Sequence, residues 1–178
     1  MRSFAAPRRS LLLALPALLA GRAAPALAPM RFDARHGALG FSVPVFGLAR
    51  LTGRFEAFTV EIGPERLDIA ADATSLRVSW SGMEERARGP DWFDVQAFPA
   101  ARFEARFGAL PPGRPALVDG TLALRGRALP FRMEALWRPD AALEAEGRLS
   151  RAAFGMVADR GAVGDQVTLA LSVRRQVQ

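Results

Sequence analysis

The chain of 178 residues has no cysteine and one histidine, His36. Without cysteine there are no disulfide staples, so an exported domain here must stand on its apolar core alone. Thiolate metal sites are excluded, and one imidazole with carboxylates makes a poor transition-metal site, so no metal is expected. Hydrolytic chemistry is equally poorly supplied. Asp33 and Ser42 lie near His36 only in sequence, whereas a triad needs all three to meet in space. The expected role of His36 is a hydrogen bond in a turn or at a pocket rim. Lysine is absent too, so all 24 basic residues are arginine, and this sets the pI near 11.4. Acidic residues are interleaved with the arginines, which excludes a nucleic-acid stripe. No glycine-rich loop leads from a strand into a helix, which argues against a nucleotide site.

Acidic residues are also missing from positions 1–28, where Arg2, Arg8, Arg9 and Arg22 flank an apolar run from Leu11 to Ala20, followed by Ala24-Pro25-Ala26-Leu27-Ala28. That layout predicts a cleavable export signal cut after Ala26 or Ala28. A spanning helix needs about 20 apolar residues, and this run is broken by Pro16 and closed by Gly21 and Arg22. Arg8-Arg9 before Ser10-Leu11-Leu12 also resembles a twin-arginine signal, so the Sec and twin-arginine routes both fit. Taking the four leader arginines from 24 leaves 20 against 18 acidic residues, a near-neutral +2. The chain is read as residues 1–28, the signal, and residues 29–178, one domain long enough for a single core.

From Leu39 onward the apolar period is two, which predicts strands with one face to a core and one to water. Leu39, Phe41, Val43 and Val45 alternate in this way. So do Phe58, Val60 and Ile62, Leu67 to Ala73, Ala101 to Phe107, Leu122 and Leu124, Leu129 to Trp137, Leu143 to Leu149, and Val167 to Val173. Gly63-Pro64, Pro111-Pro112-Gly113, Gly126-Arg127 and Pro139-Asp140 punctuate them. About eight strands at hairpin spacing predict an all-β fold, a sandwich or an antiparallel up-and-down barrel. One short helix is expected over Met83 to Arg88, stopped by Gly89-Pro90. The outward face mixes Arg with Glu, unlike the apolar outer face of an outer-membrane barrel.

An eight-stranded barrel is just wide enough to be filled by its own side chains or to hold one small ligand. Here large inward residues (Phe41, Phe103, Phe107, Phe131, Trp137) are interleaved with small ones (Ala71, Ala73, Ala101, Ala105, Ala135, Ala145, Gly147). Pattern alone leaves a solid core and a tunnel equally open.

Five segments in order carry a family resemblance. These are Asp33 to Val43 with its acidic residue, histidine and Phe-x-Val; Gly53-Arg54-Phe55-x-x-Phe58; Asp91-Trp92-Phe93-Asp94 to Phe98-Pro99; Gly120-Thr121-Leu122 to Arg125-Gly126 with Pro130; and Ser150-Arg151-x-x-Phe154-Gly155-Met156 followed by Val163-Gly164-Asp165-Gln166-Val167. From Phe32 to Val173 the chain resembles the YceI-like family of periplasmic polyisoprenoid-binding proteins. The resemblance implies an eight-stranded lipocalin-like barrel with a short helical segment in one crossing loop, periplasmic localisation with the signal removed, and a long-chain amphiphile inside. The family often has a basic residue or histidine two positions after Phe-x-Val. This chain has Val45 there, so a polar pocket contact is not expected at that position. Trp80 stands where the family has small polar residues, a change expected to reshape the tunnel mouth.

The interior and mouth residues expected to meet the lipid are His36, Phe41, Val43, Val45, Phe58, Ile69, Ala71, Trp80, Met83, Trp92, Phe93, Phe98, Phe103, Phe107, Met133, Trp137, Arg151 and Phe154. Trp92, Phe93 and Phe98 could gate a ligand or plug the barrel end. Asp91 and Asp94 read as caps of a helix or turn. Arg151 reads first as a solvated arginine at a strand end, second as an anion contact. The function expected is a carrier, store or sequestering protein without catalysis. No cofactor is expected beyond a bound isoprenoid or quinone-like lipid. Transient contact with a membrane or membrane protein and a homodimer are further expectations. Two alternatives stand: an accessory module with a solid core docking on a membrane respiratory protein, and an enzyme acting on a bound lipid.

Overall fold

The computed structural model describes residues 29–108, 111–138, 140 and 142–175; the expected export signal lies outside them. In chain order the strands are β1 (Met30–Asp33), β2 (Gly37–Val45), β3 (Ala49–Phe55), β4 (Phe58–Ile62), β5 (Arg66–Asp72) and β6 (Leu76–Val78). The helix α1 (Met83–Arg88) and a crossing loop then lead to β7 (Ala100–Arg106), β8 (Pro115–Leu124), β9 (Arg127–Arg138), β10 (Ala142–Ser150) and β11 (Gln166–Arg174). All pair antiparallel in one curled, barrel-like sheet, in the order β1-β4-β5-β7-β8-β9-β10-β11-β2-β3-β6.

The expected eight strands are corrected to eleven, and bends supply the difference. β1 runs into β2 through residues 34–36, β3 into β4 through Glu56-Ala57, and β5 into β6 through a short 3-10 turn at Ala73–Ser75. Polar groups replace the ladder at these bends. Asp72 accepts from the Thr74 amide at 2.9 Å, and Ser75 Oγ accepts from the Ala57 amide at 3.0 Å. The helix is the expected one, ended at Gly89, whose amide donates to Arg86 O.

The inward phase is the one the alternation predicts. Val60, Leu67, Val118, Ala135 and Leu143 are wholly buried, and Phe32, Ile62, Val173 and Trp137 nearly so. By register these residues share one end of the wall: Leu67 faces Ile62, Val60 faces Phe32, and Leu143 lies between Trp137 and Val173. That end is a solid core. Tight turns of three residues (β2–β3) and two residues (β8–β9) close hairpins at the other end. In the β2–β3 turn Phe46 and Gly47 have φ of 51° and 69°, and the Leu48 amide donates to Val45 O at 3.3 Å. In the β8–β9 turn Arg125 and Gly126 have φ of 50° and 71°. Both turns are of the type that matches strand twist.

Outward residues form short ion-pair ladders. Asp68 bridges Arg66 and Arg102, and Arg132 meets Asp119 at 2.6 Å across β8 and β9. Burial works against the Asp68 carboxylate, but hydrogen bonds from Arg66 and Arg102 outweigh it and hold its pKa below the ordinary value. These mostly exposed pairs each contribute roughly 0–1 kcal/mol, so cohesion resides in the inner face.

Candidate functional site

At the end opposite the solid core the wall is hollow. A cavity of about 100 Å³ is bounded by Phe41 and Val43 of β2, Leu51 and Phe55 of β3, Ile69 and Ala71 of β5, Ala101 and Phe103 of β7, Leu122 and Leu124 of β8, and Phe131 and Met133 of β9. Leu39, Val78, Leu149, Val167 and Leu169 complete the wall, while Met83 and Ala87 of α1, Trp92 and Phe93 of the crossing loop, and Arg151, Met156 and Val163 lie across its end. Arg102 and Arg151 are the only charged residues on the lining among the described residues.

Three glycines explain why so many phenylalanines leave space. The ring of Phe41 lies on Gly53 of the neighbouring strand, where a Cβ would be 2.3 Å from it. Phe103 lies on Gly120 and Phe131 on Gly147, where a Cβ would come within 2.6 Å and 2.5 Å of the ring. Each ring is folded back on the wall instead of projecting to the centre. Phe103 and Phe131 meet edge to face at 5.7 Å, which fixes both.

The crossing loop is tied down by its backbone. The Phe93 and Val95 amides donate to Ala87 O and Arg88 O at 3.0 Å, and Asp94 O accepts from the Phe98 amide at 2.8 Å. Asp94 therefore closes this turn with its carbonyl, at φ 50°. Arg125 donates to Pro90 O and Gly155 O, and Arg127 to Ala153 O at 2.7 Å, so the β8–β9 hairpin clamps both end loops.

Arg151 corrects the sequence reading most plainly. Expected first to be solvated, it is only 2% exposed. Its Nε donates to Gly164 O at 2.9 Å, and its two terminal nitrogens donate to Met156 O at 2.6 Å and Val163 O at 2.8 Å. The guanidinium carbon sits 4.8 Å from the centre of the Trp92 ring. Loss of water pushes its pKa below the usual arginine value, with Asp165 and Asp159 pulling the other way through space. Asp165 is held below the ordinary aspartate value by a Ser150 hydrogen bond and the Ala152 amide.

Of the residues expected at the site, the structure brings Phe41, Val43, Ile69, Ala71, Met83, Trp92, Phe93, Phe103, Met133 and Arg151 to the cavity. Val45 is buried and bridges Val163, outside the lining. Phe58, Trp137 and Phe154 are buried elsewhere in the core, and Phe107 packs against it. Phe98 covers Gly126. Trp80 is 37% exposed and absent from the lining. His36 and Asp33, expected to be close only in sequence, do meet in space, with Nδ1 2.8 Å from Asp33 Oδ1, but the histidine ring packs edge-on against Phe32, away from the cavity. Hydrogen bonds from Arg35 come first among the causes that drive the Asp33 carboxyl far below its ordinary value. Lining residues not among those expected include Leu51, Phe55, Leu39, Leu122, Leu124, Phe131, Leu149, Val167, Leu169, Met156 and Val163. The first two alternate with Gly53 between them, and a glycine hides the period; the last two stand on a loop with no period to read.

Residues 30–174 match the model of the YceI-like domain. A search of curated proteins gives no match. Among solved structures, BcnA of Burkholderia cenocepacia aligns with TM-score 0.68 and 21% identity, over 81% of this chain and 99% of that one. A polyisoprenoid binding domain from Saccharophagus degradans aligns with TM-score 0.64 and 16% identity, over 83% and 97%. The YCEI protein of Campylobacter jejuni gives 0.54 and 15%, over 71% and 84%. With the matched segment covering nearly all of the described residues, the chain belongs to the YceI-like family.

Proposed function

We propose that this protein encloses the chain of a polyisoprenoid or similar long amphiphile and serves in the periplasm as a carrier, store or sequestering protein, without chemistry of its own. The observation that carries this reading is the set of three rings folded back on Gly53, Gly120 and Gly147, which keeps an apolar hollow in half of the wall. The similar domain from Saccharophagus degradans is described as polyisoprenoid binding, and the leader at 1–28 has the layout of an export signal.

Burial supplies the affinity. At roughly 0.8 kcal/mol per CH₂ a five-carbon unit contributes up to about 4 kcal/mol, against association costs of about 4–15 kcal/mol. Several buried units therefore reach micromolar binding, about 8 kcal/mol net. On the scale where one water needs about 10–15 Å³, the hollow of about 100 Å³ holds only part of such a chain. Entry requires Met83, Met133 and Met156 to move, and unbranched thioether side chains are suited to that.

The β2–β3 turn presents Phe46 and Leu48 to solvent at 70% and 98% exposure. Its backbone meets the end loop through the Phe46 amide and Ala162 O at 2.7 Å, which favours this tip as the point of transient membrane contact. The test is uptake of a polyprenol by the mature domain, followed by its unfolding midpoint. Binding at 100 times the Kd stabilises by about 2.7 kcal/mol, and the midpoint rises accordingly. No shift and no co-eluting lipid would remove the reading.

A further inference from the structure

One residue that lines the cavity carries a buried donor without a partner. Trp92 is 8% exposed and lines the cavity, and its indole Nε1–H is buried with no hydrogen-bond partner. Leaving such a donor unpaired costs roughly 1–3 kcal/mol. Phenylalanine would fill most of the same space without that cost, as Phe93 does next to it. On the ring of this tryptophan lies the Arg151 guanidinium, whose hydrogen-bond partners are three neutral carbonyls. The buried guanidinium also makes this stretch of the wall electropositive, which favours an electron-rich atom beside it. Both features favour an electron-rich oxygen at this point of an otherwise oily wall.

We propose that the enclosed guest carries a hydrogen-bond acceptor oxygen on its apolar chain, and that Trp92 Nε1–H is the donor that receives it inside the cavity. The inference rests on the carrier reading and narrows it. Guests are selected by the position of an oxygen as well as by chain length, and a pure hydrocarbon is discriminated against. A hydroxyl, a carbonyl and a carboxylate all supply the required atom. The Arg151 charge adds a preference for the carboxylate.

The test uses the mature protein and W92F with three probes of one carbon skeleton: geranylgeraniol, geranylgeranoic acid and the parent hydrocarbon. The wild-type protein is expected to bind the alcohol and the acid about tenfold more tightly than the hydrocarbon, the worth of one buried hydrogen bond. W92F is expected to lose the preference for the alcohol over the hydrocarbon, the ratio of the two affinities being the readout. In the intact protein, the indole N–H resonance missing from W92F should shift downfield with the alcohol and stay in place with the hydrocarbon. A tenfold advantage of acid over alcohol marks an anionic guest and equal affinity a neutral one; either agrees with the proposal. It is overturned if the wild type does not discriminate, or if W92F keeps the full preference. Failure of all three probes to bind the wild type would instead remove the carrier reading itself.

Discussion

Arg151 shows how far a single side chain can depart from its look in sequence. An arginine just beyond a strand reads as solvated, yet the carbonyls of Met156, Val163 and Gly164 converge on it from a loop whose path no local pattern reveals. Its removal leaves buried carbonyls unpaired, at roughly 1–3 kcal/mol each. Arg151→Ala should therefore lose at least about 3 kcal/mol in urea unfolding. Arg151→Lys should recover little, because one ammonium cannot reproduce the planar fork. A loss below about 1 kcal/mol in Arg151→Ala would contradict this account. Asp68 makes a pH prediction. Its folded pKa is depressed by Arg66 and Arg102, so the stability it contributes is complete above its unfolded pKa of about 3.9 and is lost as pH falls through the folded value. Wild-type stability should drop below about pH 4, and Asp68→Asn should flatten that part of the curve in acid titrations of unfolding free energy. An unchanged slope would show that Asp68 takes no part.

Among the elements, the strands were the most legible, because burial on one face writes period two into Leu39 to Val45 and Leu129 to Trp137. The bends were not. At Glu56-Ala57 and Ala73–Ser75 the ladder changes partner through a few polar residues that look like ordinary strand surface. Cross-strand contacts were also hidden, since a ring resting on a glycine depends on register rather than on neighbours in sequence. Gly53→Ala is the cleanest probe, because the nearest obstacle to its Cβ is the Phe41 ring, at 2.3 Å, with backbone no closer than 3.1 Å. The ring should turn into the cavity. Overpacking costs about 1–3 kcal/mol, and lipid affinity should fall more than tenfold in a direct titration. Retention of full affinity would show that the rings do not hold the space open. At the β2–β3 turn, Phe46 sits at φ 51°, a region where asparagine is far more at ease. Phe46→Asn should stabilise the fold by about 1 kcal/mol while slowing lipid transfer from vesicles; unchanged transfer would separate the tip from membrane contact.

The molecule as a whole is half solid and half hollow, a division that alternating large and small residues could not settle. The same pattern, Phe beside Ala, fills the end around Trp137 and Leu143 and leaves space around Phe41 and Phe103. What differs is where glycines let rings lie back and where α1 and the end loops roof the wall. No helix among the described residues is long and apolar enough to cross a membrane. The decisive measurement is organic extraction and mass spectrometry of the mature protein isolated from its native cell envelope, beside a leaderless control mixed with total lipid. The account predicts a long-chain amphiphile in stoichiometric amount, taken up by the control as well. A protein that is empty from its native source and stays empty after exposure to lipid would contradict it.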